Sequence, residues 1–201
     1  MPSRSAGEFF LARTRVRLLV SAARHPPTGS IAEAHKESCL HAALAGFVAS
    51  WEAYLERLVR EVQQQIADPS HARLSAILAL LKPISEREVK RFNTPNAENA
   101  RNLLIDHTGY DPINDWHWPK ETLTGPQTRT RLDEILRVRH SFAHGFPIPT
   151  DIAWARNRNS NGHLTISALR NVDRFLSHMV KITDAGMSAH LASAFGVTSG
   201  W

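Results

Sequence analysis

Apolar residues along this chain recur at helical spacing almost throughout. The clearest run is Leu40, Leu44, Phe47, Val48, Trp51, Leu55, Leu58 and Val62. Steps of three and four keep these side chains on one stripe, so a single long helix faces a core for many turns. Ser30 is placed to cap it, and the pattern continues to about Ala67. Upstream, Phe9, Val16, Leu19 and Val20 belong to a first helix over Ser5 to Arg24, which His25-Pro26-Pro27-Thr28-Gly29 ends. Proline cannot continue a helix and disfavours helical geometry in the residue before it. After a break at Asp68-Pro69-Ser70, shorter helices are expected over His71 to Leu81, Ser85 to Arg91 and Asn96 to Thr108. Gly109 to Lys120 reads as an aromatic loop with Tyr110, Trp116 and Trp118. A helix from Pro126 follows and is stopped by Phe146-Pro147-Ile148-Pro149. The last helix spans Ser167 to Phe195, and Val197 to Trp201 reads as a loose tail. No alternating strand, internal repeat or low-complexity run interrupts this pattern.

The expected fold is all-α, a helical bundle with long antiparallel helices and short connecting helices, with the helix from Pro126 at its centre. The chain is expected to form one domain over residues 1–201. Its core lies at about 30–185, with the N-terminal helix and the C-terminal tail as extensions.

Composition narrows the class. The chain has 201 residues, 42% of them apolar and 21% charged, which suits a folded domain rather than a disordered one. The net charge of +5 fits an anionic partner such as RNA without requiring one. Cys39 is the only cysteine, so an intrachain disulfide and a cysteine zinc cluster are both excluded; a packed thiol is expected. Arg13, Arg15 and Arg17 interrupt the first apolar run, which therefore resembles neither a signal peptide nor a membrane span. The expected location is cytoplasmic, away from membranes, and these three arginines are expected on a solvated surface.

Chemistry concentrates in Arg139-His140-Ser141-Phe142-Ala143-His144-Gly145. At roughly 100° per residue, Leu132, Ile135, Leu136, Phe142 and Ala143 fall within about 60° of Arg139. That puts a guanidinium in the middle of the face expected to be buried, where it is costly unless paired. Two readings stand side by side: a structural ion pair with a neighbouring helix, or an arginine held to bind phosphate. His144 lies about 140° away from Arg139 on an ideal helix and shares a polar face with Asp133, Arg137 and His140. His140 and His144 are four apart and therefore adjacent. Three readings fit the pair: a solvated face, an incomplete metal site, or general acid–base chemistry near neutral pH.

Arg139 to His144 resembles the R-x4-H motif of HEPN domains, with polar His140 after the arginine and Ala143 and Gly145 around the histidine. The run Ala42 to Glu56, containing Trp51-Glu52-Ala53-Tyr54, is similar to the long second helix of the RiboL-PSP-HEPN group. A tryptophan-bearing loop before the motif helix adds to the likeness, which spans roughly residues 30 to 185. Arg137, seven before His144, is a second candidate for the motif arginine.

The resemblance implies an HEPN-like bundle that dimerises and brings two motifs together in a cleft. It implies a metal-independent endoribonuclease with no cofactor, of the kind found as toxins in toxin–antitoxin pairs, in phage defence and in RNA processing. An antitoxin protein is then an expected partner. Other members of the group are inactive binding or assembly modules, so a non-catalytic role remains the alternative. In the catalytic case His144 is the general acid or base and Arg139 steadies charge on the phosphate. His140, Ser141 and Arg137 are supporting or RNA-contacting residues. Glu52, at the edge of the second stripe, either pairs with a buried arginine or is an ordinary boundary carboxylate. Trp51 and Tyr54 are expected in the core. Trp116-His117-Trp118 is expected to pack onto the bundle, with base stacking or a dimer surface as alternatives.

Overall fold

The computed structural model describes residues 2–67, 72–156 and 162–197. Six α-helices carry the fold: α1 (Arg4–Ala22), α2 (Ala32–Ile66), α3 (Ala72–Arg91), α4 (Ala97–Thr108), α5 (Gly125–Ala143) and α6 (Ile166–Phe195). Short 3-10 turns lie between α4 and α5 and at Ala153–Ala155. The described residues contain no strand beyond two isolated bridges, Trp118 with Leu123 and Arg156 with Gly162. The protein is an all-α helical bundle. Among the described residues no helix is long and apolar enough to cross a membrane.

The central element is α2, which packs against α1, α4, α5 and α6. Its expected stripe is buried: Leu40, Leu44, Phe47, Val48, Trp51, Leu55, Leu58 and Val62 are all in the core, as is Tyr54. Buried tryptophan and tyrosine need partners for their polar tips. Trp51 Nε1 donates to the carbonyl of Pro95 at 3.1 Å, and Tyr54 Oη donates to that of Val180 at 3.3 Å.

The N-terminal helix is a layer of the core rather than an extension of it. Ala6, Phe9 and Val20 are buried, and α1 packs against both α2 and α6. Ser5 meets Glu61 and Phe9 meets Tyr54, so α1 runs antiparallel to α2. Ser3 meets Asp184 and Arg13 meets Asp173, so α1 runs antiparallel to α6 as well. The two longest helices, α2 and α6, therefore point the same way. Nor are all three N-terminal arginines merely solvated. Arg13 and Arg17 both donate to buried Asp173, tying α1 to α6; Arg15 is exposed.

Several boundaries move for identifiable reasons. Ser30 lies in a turn with Gly29, and α2 begins at Ala32 without a side-chain cap. The two short helices expected around Lys82-Pro83-Ile84 are one helix, with Pro83 inside it. Ala79, whose carbonyl loses its partner at the proline, is exposed, as is Pro83, so water can satisfy that carbonyl. The break at 68–70 and the tail from 198 onward lie outside the described residues.

The aromatic loop packs inward. Trp116 is fully buried and donates to Thr183 Oγ1 at 2.9 Å. Trp118 stacks on His178 with ring centroids 5.0 Å apart. Gly186 lets α6 approach this loop, because a Cβ there would overlap the Tyr110 hydroxyl. Cys39 is half-buried and packs against the core.

Candidate functional site

The helix carrying the motif flanks α2 rather than occupying the centre. It begins with Pro126 in its first turn, and the Gln127 side chain accepts the backbone N–H of Thr124 at 2.9 Å. Its buried residues are Thr128, Leu132, Ile135, Leu136, Val138 and Ser141. The helix stays regular to Ala143 and closes on Gly145 at φ +69°. The Gly145 N–H donates to Phe142 O at 3.1 Å and the Phe146 N–H to Ser141 O at 2.8 Å. That double closure is a Schellman motif, and its left-handed position favours glycine.

This ending decides where the chemistry points. His144 is the C-cap, and its ring lies 4.2 Å from that of His140, centroid to centroid. Both histidines are exposed, and Phe146 stacks beside His144 at 6.1 Å. Phe142, expected in the buried stripe, is 46% exposed. The last turn projects past the body of the bundle, and the buried stripe is rotated toward Val138 and Ser141. Arg139 is consequently half-buried at the margin rather than mid-stripe. Among the described residues it makes no ion pair and no side-chain hydrogen bond. Its charge acts on Glu52 of α2, whose carboxyl burial and Glu56 push above the usual range while Arg139 opposes them. Among the described residues no hydrogen bond joins Arg139 to His144.

The other candidates divide. Arg137 is exposed and forked onto Asp151 at 2.9 and 3.2 Å, with its Nη atoms donating to the two carboxylate oxygens. It lines a groove of about 380 Å³ together with Asp133, His140, Ser141 and Pro149. Ser141 is buried, and its Oγ donates to the Arg137 carbonyl one turn back at 2.9 Å, so its hydroxyl proton is spent within the helix. No group of three potential metal ligands occurs among the described residues.

One neighbour escaped the sequence pattern. His41 of α2 is 5% exposed and stacks on Phe142 with centroids 4.1 Å apart and an interplanar angle of 11°. Its Nδ1 is buried with no hydrogen-bond partner, and Nε2 lies 3.6 Å from Glu37 Oε1. Burial pulls the imidazole pKa down; Glu37 opposes this, and nearby His163 adds to it. The available signal was a histidine directly after Leu40 in an apolar stripe.

No protein-family model matches the chain, and neither a curated protein nor a solved structure shows significant similarity to it.

Proposed function

We propose that the protein is a metal-independent endoribonuclease of the HEPN kind, whose site is completed when two copies bring their α5 ends together. The observation that carries this reading is the exposed His140–His144 pair at the tip of α5, with an arginine that has no ion-pair partner on the same turn. An imidazole can both accept and donate a proton, and a planar guanidinium suits a phosphate.

In this mechanism His144 accepts the proton of a ribose 2′-hydroxyl. The 2′-oxygen attacks the adjacent phosphorus, the bond to the 5′-oxygen breaks, and the leaving oxygen takes a proton from water. The product ends in a 2′,3′-cyclic phosphate, and DNA, lacking the hydroxyl, resists. Arg139 stabilises the charge gathering on the phosphoryl oxygens. His140 packs on His144 and orients it. On a regular helix Arg139 and His144 lie about 140° apart, and in this reading the arginine serving each histidine comes from the other copy. RNA and a second copy of the chain are thus the expected partners. A toxin role, with a protein antitoxin covering the α5 tip, is the biological setting this chemistry suits.

A second reading has its own support. The separation of Arg139 from His144, and the influence of Arg139 on Glu52, suit a non-catalytic HEPN module in which Arg139 is structural. RNA incubated with the protein in EDTA separates the two. Cleavage to cyclic-phosphate ends, lost by about a hundredfold or more in His144→Ala, supports the nuclease. Undiminished cleavage by both Arg139→Ala and His144→Ala, or strict dependence on a divalent metal, overturns it.

A further inference from the structure

Away from the tip of α5, a cavity of about 690 Å³ opens between the end of α1 and the start of α6. Arg17 of α1 and Arg24 just beyond it line one wall, and Arg170 and Arg174 of α6 line the other. Helical periodicity places Arg170 and Arg174 together, since they are four apart on α6 and share a face. Like charges at such spacing destabilise a helix slightly, so this arrangement opposes folding rather than assisting it.

The arginines are unequally engaged. Among the described residues Asp173 is the only carboxylate lining the cavity, and it is already committed. It is buried, and both Arg13 and Arg17 donate to it, the Arg17 contacts being 2.9 and 2.6 Å. Arg174 donates to Asn171 Oδ1, and Glu121 lies 3.6 Å from it. Arg24 and Arg170 are exposed and have no ion pair or side-chain hydrogen bond among the described residues. Ser167, in the first turn of α6, also lines the cavity, so the positive end of a 30-residue helix adds to the field. With Asp173 committed to Arg13 and Arg17 and Glu121 beside Arg174, Arg24 and Arg170 are left uncompensated among the described residues, and the cleft is positive.

We propose that the cleft binds a ligand carrying two or more phosphates, either a nucleotide polyphosphate or the backbone of a strand. Volume and charge both favour this. The cavity falls within the range of about 300–1,000 Å³ typical of small-molecule sites, larger than one phosphate fills. Its free cations stand on opposite walls. Arg17 is held by Asp173 as a fixed donor, while Arg24 and Arg170 close on the phosphoryl oxygens with their forks. The cleft is distinct from the α5 tip, and its binding does not depend on cleavage there.

The test measures binding of inorganic phosphate, pyrophosphate, a nucleoside triphosphate and a short single-stranded DNA oligonucleotide, which 2′-hydroxyl attack cannot cleave. The proteins are the full chain and its Arg24→Ala/Arg170→Ala variant, with matched circular dichroism and melting. Binding of any multiply phosphorylated probe that falls about tenfold or more in the variant supports the site. A triphosphate preference identifies a free nucleotide. A preference for the oligonucleotide, with affinity falling steeply as salt rises, identifies a strand. Arg24→Lys/Arg170→Lys should recover part of the loss, since charge returns without the fork. No binding of any probe, binding indifferent to the double substitution, or inorganic phosphate binding as tightly as the larger probes overturns the proposal.

Discussion

The seam between α1 and α6 and the tip of α5 draw on similar residues and treat them oppositely. At the seam, Asp173 receives Arg13 and Arg17, and Asp184 receives the backbone N–H of Ser3 at 2.9 Å and its hydroxyl. Nearby, Trp116 donates to Thr183. At the tip, among the described residues, Arg139 has neither an ion pair nor a side-chain hydrogen bond and the buried Nδ1 of His41 has no partner, while Phe142 and Phe146 are 46% and 61% exposed. Buried polar groups in folded proteins are normally satisfied, so exceptions mark strain or function. The seam's buried carboxylates, Asp173 and Asp184, are spent on holding helices together. The tip leaves His140, His144 and Phe146 exposed to something outside the chain.

Three substitutions can break or sharpen that contrast. The largest effect belongs to the bundle centre. Trp51→Ala removes a fully buried indole and its hydrogen bond to Pro95, and should cost about 3–5 kcal/mol in a urea titration. A loss under about 1 kcal/mol would mean that the centre of α2 is not sealed as described. Next comes the seam. Asp173→Ala leaves two arginines without their carboxylate and should cost about 2–3 kcal/mol, below the figure for a fully buried pair because Arg17 is half exposed. A neutral result would show that the arginines find water as easily as Asp173.

The smallest expected effect lies at the tip. The His41 pKa is lowered on folding, so the unfolded chain binds its proton more readily. Stability from this site is complete above the ordinary histidine value of about 6.5 and is lost as pH falls toward the lowered folded value. His41→Phe keeps a ring against Phe142 and should flatten that acid-side decline in melting temperature. Identical pH profiles for the two proteins would mean that His41 is not the group responsible.

The sequence made the bundle legible and the site only in part. The α2 stripe was readable because thirteen of its residues are buried at regular spacing, leaving little ambiguity of face. Pro83 was read as a break because local chemistry says so, yet exposure makes its lost hydrogen bond tolerable. The motif was visible as spacing, and its helix ended close to where Gly145 and Pro147 suggested. Its orientation was not visible. Which side of α5 is buried depends on α2 and α4 packing against it, and that side is turned toward Val138 and Ser141, so an ideal wheel placed Arg139, Phe142 and Ala143 too deep. The double role of Arg13 and Arg17 was likewise hidden, because Asp173 lies 160 and 156 residues away along the chain.

The central claim is that Arg139 of one copy serves His144 of another, and a mixing experiment tests it most directly. Arg139→Ala and His144→Ala proteins are assayed for RNA cleavage in EDTA, separately and after co-refolding. Each alone should be inactive. The mixture should regain a substantial part of wild-type cleavage, because one of the two sites in a mixed dimer then holds both an intact arginine and an intact histidine. A silent mixture beside an active wild type, or full activity in either variant alone, would contradict it.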